Sequence, residues 1–361
     1  MRSSIIFLFV TCSLWLFGQE AQTPEQAAAA KRAERLERNK RLSDAFTAGM
    51  NALKSAKGAS DFQSAIDNFN KASEIDPRQV AVWAALGEAY TGLGRVSTGQ
   101  DQTNAYDQAI ASYQKSLAIK QEGSVYNQLG LVYGLEQRIP EATEALLKCA
   151  ELTPAIAPKA YFNLGATLVN SGNPEKSAEY FKKAVDLDPS YAEAWYRYGA
   201  ILLRDGTVDE DTGQQVFPPD CKTALTRYLD LTPNGINAAK AKMMLEAMDA
   251  KVSQDYLPAP SARSKSLSIK KLPNEATLIQ KPQPTYPLAA KEARIQGPAK
   301  VLLLVSKTGE PRWMRVISSP SSLLSIAALE AVRQWRYEPI VIDGKTTEFA
   351  TEAVVNFALG Q

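Results

Sequence analysis

Apolar and polar positions divide this chain into five stretches with different rhythms. Ile5 through Phe17 is an apolar run broken only by Thr11, Cys12 and Ser13, with Arg2 before it and Gln19, Glu20 and Gln22 after it. That layout predicts a secretory signal peptide over residues 1–18, and cleavage after Gly18 or after Ala21 both fit. The run is shorter than the ~20 residues that cross a bilayer as a helix; an uncleaved short anchor is the alternative. Residues 19–42 mix Ala, Arg, Glu and Lys and predict a charged, solvated leader helix. From 43 to 252 apolar residues recur at helical spacing. Residues 253–281 lose that rhythm, carry Pro258, Pro260 and Pro273 with Arg263, Lys265, Lys270 and Lys271, and predict a semi-rigid basic tether. Residues 282–361 turn to short β-like runs.

The helical stretch repeats itself. Trp83-x2-Leu86-Gly87-x2-Tyr90 recurs as Tyr126…Leu129-Gly130…Tyr133, Tyr161…Leu164-Gly165…Leu168 and Trp195…Tyr198-Gly199…Leu202. A second half-motif alternates with it: Ala65…Phe69…Ala72…Pro77 opens the series, and Ala109…Tyr113…Ser116, Ala142…Leu146…Cys149…Pro154, Ser177…Phe181…Ala184…Pro189 and a degraded Cys221…Leu225…Tyr228…Pro233 follow the four copies of the first. The starts lie 43, 35 and 34 residues apart, so the first interval carries an insertion, expected as a loop over residues 97–104. Asp205 to Pro219 is expected as a second, acidic loop. Small residues at the Gly and Ala positions let paired helices approach, aromatics fill the space between hairpins, and the Pro ends the second helix. This pattern resembles the tetratricopeptide repeat, whose period is 34. The resemblance implies about five helical hairpins stacked as a superhelix, closed by a helix from Gly235 to Lys251. It also implies a partner-binding groove along the first helices, here at Glu88, Asn127, Leu131, Phe162 and Tyr196. Phe162 and Tyr196, if exposed there, would suit an apolar peptide or helix; packing of both against adjacent helices is the alternative.

In the last stretch, Pro287 to Ile295 predicts a short helix ending near Gly297, and Ala299 to Ser306 a strand. Lys307-Thr308-Gly309-Glu310 predicts a hairpin turn into a second strand over Arg312 to Ile317. Leu324, Ala328, Val332 and Trp335 form the apolar stripe of a helix capped by Ser321 or Ser322. Asp343-Gly344 is another turn, and Glu352 to Leu359 alternates as a final strand with Ala353, Val355, Phe357 and Leu359 on one face. The sum is a two-layer α+β domain of β-β-α-β order. Pro284-x-Tyr286-Pro287, Arg294-Ile295-Gln296-Gly297, Thr308-Gly309, Ala327-Ala328 and Trp335-Arg336-Tyr337-Glu338-Pro339 resemble the TonB C-terminal domain. The resemblance implies a periplasmic domain that adds a strand, the TonB box of outer-membrane transporters, to the edge of its own sheet. By position that edge is Thr351, Glu352, Ala353, Val354, Val355, Asn356 and Phe357. Trp335 and Tyr337 are expected in the core, and Lys291 stands where family members often carry a box-contacting Gln. The family's full energy transducers have a transmembrane anchor bearing a histidine; an energy transducer with an uncleaved anchor is the alternative to an envelope adaptor.

Composition narrows the chemistry. Apolar residues make up 45% and charged residues 22% of 361, as in ordinary folded proteins, and the net charge of +2 implies no nucleic-acid partner. Histidine is absent, which removes Ser-His-Asp and Cys-His nucleophiles and His-ligated metals. The repeats and the last domain leave no stretch for a catalytic domain. No catalytic residue, metal or cofactor is therefore expected, and the partners are proteins, with any membrane association through the N-terminus or through them. Cys149 and Cys221 fall at small packing positions two repeats apart and read as buried hydrophobes, with a disulfide between them the alternative.

Overall fold

The computed structural model describes residues 23–209, 212, 214–251, 277–342 and 344–359. The signal run, Cys12 and nearly all of the expected tether lie outside them. The chain forms two compact units, residues 1–121 and 122–361.

The first unit holds α1 (Pro24–Ser55), α2 (Ala59–Ile75), α3 (Val80–Val96) and α4 (Gly99–Ile119). Thr23 opens α1 with a capping box: its hydroxyl accepts from Gln26 N at 3.2 Å, and its own N–H donates to the Gln26 side chain at 3.0 Å. The expected leader and the first repeat helix are one helix, because no Gly or Pro lies between Pro24 and Gly49 to break it. The expected insertion loop also differs. Only Ser97 and Thr98 lie outside helices; the rest lengthens α4. Gln100 and Asn104 bond each other at 2.9 Å one turn apart, and Gln102 Nε2 donates to the Gly94 and Ser97 carbonyls at 3.0 and 3.2 Å. Those bonds give the polar residues partners that a free loop would leave to water.

The second unit continues with α5 (Gly123–Leu135), α6 (Ile139–Leu152), α7 (Ala157–Asn170), α8 (Pro174–Leu187), α9 (Ala192–Leu202), α10 (Pro219–Leu231) and α11 (Ala238–Met248). The glycine of each first helix faces a large side chain of the second. A Cβ built on Gly87, Gly130, Gly165 or Gly199 would lie 2.5, 2.6, 2.8 and 2.7 Å from Tyr113, Leu146, Phe181 and Leu225 respectively. Gly49 meets Phe69 the same way at 2.5 Å, which adds the first hairpin to the series. Trp83 and Trp195 serve as hairpin wedges, each indole donating to the carbonyl of the preceding helix's terminal proline, Pro77 at 2.9 Å and Pro189 at 3.0 Å. Tyr126 and Tyr161, at the same position, are half-buried beside Cys149, Ala150, Ala157 and Ala160.

Between α9 and α10 the expected acidic loop contains a short hairpin, β1 (Thr207–Val208) paired with β2 (Gln215–Val216). The C-terminal domain follows: β3 (Leu278–Gln280), α12 (Leu288–Glu292), β4 (Gly297–Val305), β5 (Pro311–Ser318), α13 (Ser322–Arg333), β6 (Arg336–Tyr337), β7 (Ile340–Ile342), β8 (Lys345–Thr347) and β9 (Phe349–Phe357). Its main sheet has the order β5-β4-β9, all antiparallel, with α13 packed on one face. The β-β-α-β core is present. Two features go beyond it: β3, at the end of the expected tether, pairs with β6, and β7 and β8 form a hairpin with Gly344 in its turn. The final strand begins at Phe349 and ends at Phe357, so Leu359 lies beyond it.

Candidate functional site: an outer strand and a repeat face

Strand β9 forms because Phe349, Ala353, Val355 and Phe357 alternate into the core while Glu352, Val354 and Asn356 stand exposed. It pairs with β4 along its whole length, from Gly297 opposite Phe357 to Val305 opposite Phe349. The sheet order leaves it at the margin, and among the described residues no strand pairs with its other side. Thr351 through Phe357, the residues expected to receive a partner strand, all lie in it. Its unpaired side carries main-chain groups of the kind that extended peptides complete.

The family-like motifs hold that strand from beneath. Trp335 is 1% exposed and Tyr337 3%, both in the core. The Trp335 indole donates to the Pro282 carbonyl at 3.3 Å, and Lys281 Nζ sits 4.8 Å above its ring. Tyr337 meets Phe349 edge-on at 6.3 Å, and Tyr286 meets Phe357 edge-on at 5.5 Å, so an aromatic supports each end of β9. Gly309, at φ +83°, lies against the Tyr337 backbone, where a Cβ would collide with the carbonyl oxygen. Tyr337 N donates to the Gly309 carbonyl at 2.9 Å, which ties the Thr308-Gly309 turn to the Trp335–Pro339 motif. Burial pushes the Tyr337 phenol well above its ordinary pKa, and its hydroxyl has no hydrogen-bond partner among the described residues.

The repeat face differs from the expected groove. Glu88, in the first unit, is exposed on α3. In the second unit Leu131 is half-buried and Asn127 is buried, with its Oδ1 accepting from Asn163 Nδ2 at 2.8 Å across α5 and α7. Phe162 is half-buried against Phe181 at 5.7 Å and Tyr191 at 5.0 Å. Tyr196 is 4% exposed and packs on Tyr228 at 5.3 Å. Of the two readings of these positions, the packed one holds: each ring lies on an aromatic of its own hairpin's second helix. Burial, and then the nearby Glu292 carboxylate, push the Tyr196 phenol up to about 12.

Glu292 belongs to the C-terminal domain, which is docked on the last hairpins rather than standing clear on a tether. Lys240 and Glu292 pair at 2.8 Å, and the Arg204 guanidinium donates to the Arg294 carbonyl at 3.2 Å. The first N–H of α13, on Ser322, donates to the Gly206 carbonyl at 2.7 Å, and the Ser322 hydroxyl donates to Gln215 Oε1 at 2.7 Å. Gln215 Nε2 reaches back to the Ala247 carbonyl at 2.7 Å. The stretch read as an acidic loop is thus a clamp between α11 and α13. Its polar composition hid this, because the partners lie 32 and 107 residues away in sequence.

Cys149 and Cys221 are free and buried, so the alternative disulfide does not form. Burial, and then Asp205, push the Cys221 thiol up to about 12. Among the described residues no cluster of three or more His, Cys, Asp or Glu could hold a metal, and no helix is long and apolar enough to cross a membrane.

Stacked helical hairpins ending in a sheet with an unpaired margin define a protein-interaction protein. Comparison with known proteins gives the family. Residues 282–359 match the family described as Gram-negative bacterial TonB protein C-terminal, and residues 123–156, 158–191 and 180–215 match tetratricopeptide repeat families. The chain carries tetratricopeptide repeats and a C-terminal domain of the TonB type. Both are non-catalytic protein-interaction families, and the C-terminal match suggests a Gram-negative envelope protein. An uncharacterized protein of Methanocaldococcus jannaschii is 38% identical over 50 residues, 14% of this chain and 58% of that protein. Among solved structures, the MamA protein aligns over 56% of this chain and 96% of its own at 19% identity and TM-score 0.41. PilF of Pseudomonas aeruginosa aligns over 58% and 84% at 18% identity and TM-score 0.43.

Proposed function

We propose that this chain is an exported adaptor of the cell envelope. Its repeats hold one protein while its C-terminal domain captures an extended, TonB-box-like segment of an outer-membrane transporter by strand addition along Thr351–Phe357. The observation that carries this reading is that β9 pairs with β4 on one side and with no described strand on the other. Main-chain pairing tolerates many sequences, while the outward side chains Glu352, Val354 and Asn356 tune the choice. The docking of the domain on α11 and the β1–β2 hairpin supports an adaptor in which the two binding surfaces are held together.

The test is calorimetric titration of the full chain with a TonB-box peptide, and with the same peptide N-methylated at alternate residues. Strand addition predicts that methylation in one of the two alternating registers abolishes binding, because it removes the donors that face β9. Equal binding by the unmodified peptide and both methylated ones would refute it. Val355→Pro in β9 should likewise lose the peptide.

A further inference from the structure

We infer that the outer face of the β5-β4-β9 sheet is a contact through which two copies of this chain associate, sheet on sheet. Among the described residues helix α13 packs on one face of the sheet. On the other, the strand register lays three rows across the sheet: Trp313–Leu304–Ala350, Arg315–Leu302–Glu352 and Ser318–Lys300–Val354. Leu302, Leu304 and Trp313 are half-buried, and Val354 is 41% exposed. Two of the three rows are apolar at their centre, an unusual outward face for an antiparallel sheet with one solvated side.

The occupant is a second copy because the rows complement themselves. A twofold axis lying between two facing sheets and running along the strands keeps each row opposite itself and exchanges its ends. Arg315 then falls opposite Glu352 of the second copy, twice. The large Trp313 falls opposite the small Ala350, and Leu302 and Leu304 meet their own counterparts at the axis. A twofold axis across the strands would instead set Arg315 against Arg315. Among the described residues neither Arg315 nor Glu352 has an ion-pair partner within its own chain. Lys300 lies at the end of the face, where sheets crossing at about 30° diverge and its stem can carry the charge to water.

Three strands ~4.8 Å apart and three outward rows ~6.8 Å apart cover on the order of 300 Å² per copy. A standard interface covers about 800 Å² per partner, so this association is weak and depends on high local concentration. It uses the face of the sheet and leaves the unpaired side of β9 free, so it stands or falls independently of strand addition.

Sedimentation velocity of the full chain from about 10 µM to about 1 mM tests it, the range that suits so small a contact. The expected result is a concentration-dependent monomer–dimer equilibrium. Arg315→Glu alone, or Glu352→Arg alone, should weaken the dimer about tenfold or more, and the double swap should restore it. Restoration excludes misfolding as the cause of the loss. A chain that stays monomeric throughout, single swaps that dimerise like the wild type, or a double swap that fails to restore association would each overturn the inference.

Discussion

Gly130 is the sharpest place to test how the repeats are packed. Alanine is the mildest probe. Helix propensity alone predicts that Gly130→Ala stabilises α5 by about 1 kcal/mol. Packing predicts the opposite. The new Cβ would lie 2.6 Å from Leu146 Cγ, 3.0 Å from Leu146 Cδ2 and 3.2 Å from the Ala142 carbonyl oxygen. Leu146 is 1% exposed and has no free side to move into. Overpacking of this kind costs about 1–3 kcal/mol, so the net change is a loss of about 0–2 kcal/mol. Leu146→Ala alone leaves a cavity and costs about 2–5 kcal/mol. In the double variant the new methyl occupies part of that cavity, so the two changes combine to less than their sum, by about 1–3 kcal/mol. Repeat arrays need not unfold in one step. Native-state hydrogen exchange of the α5 and α6 amides therefore reads the local effect better than a whole-chain melt. Gly130→Ala at or above wild-type protection, with strict additivity in the double variant, would refute the close-approach argument. Gly130→Trp, far larger, should unfold the hairpin outright.

The other predictions are brief. Gln215→Ala removes the acceptor of the Ser322 hydroxyl and the donor to Ala247; it should cost about 1–3 kcal/mol and expose the 205–219 segment to limited proteolysis. Unchanged cleavage would argue that the hairpin does not clamp the domain. Tyr337→Phe deletes a buried hydroxyl that has no partner, so the melting temperature should hold or rise; a fall of several degrees would mean that the hydroxyl is bonded in solution. Cys221 should resist thiol reagents at pH 8 in the folded protein and react at once in denaturant. Its thiol ionises near 9 when unfolded but only at about 12 when folded, so its contribution to stability is intact below pH 9 and lost as pH rises from there toward 12. Serine at this position should flatten that alkaline decline.

Much of the architecture is legible in the amino-acid sequence because it is local and periodic. The glycine of each first helix and the large residue of the second recur at fixed spacing, so the hairpins could be read before their partners were known. The final strand announces itself through the alternation of Ala353, Val355 and Phe357, and the hairpin turn through Gly309. Elements without a period were misjudged: the extra residues after Val96 extend a helix, and residues 205–219 carry a clamp.

What the sequence determined by itself, then, is which of the periodic segments form helices and which form strands, since propensity and periodicity act within a few residues. The tertiary structure decided how those segments are used. It turned Phe162 and Tyr196 inward, because each ring gains more from an aromatic of its own hairpin than from water. It tied Gly206 and Gln215 to Ser322, a match of donors and acceptors that no nearest-neighbour pattern encodes. It left β9 with one side paired, because sheet order follows from how the strands stack over α13 and not from the residues of β9.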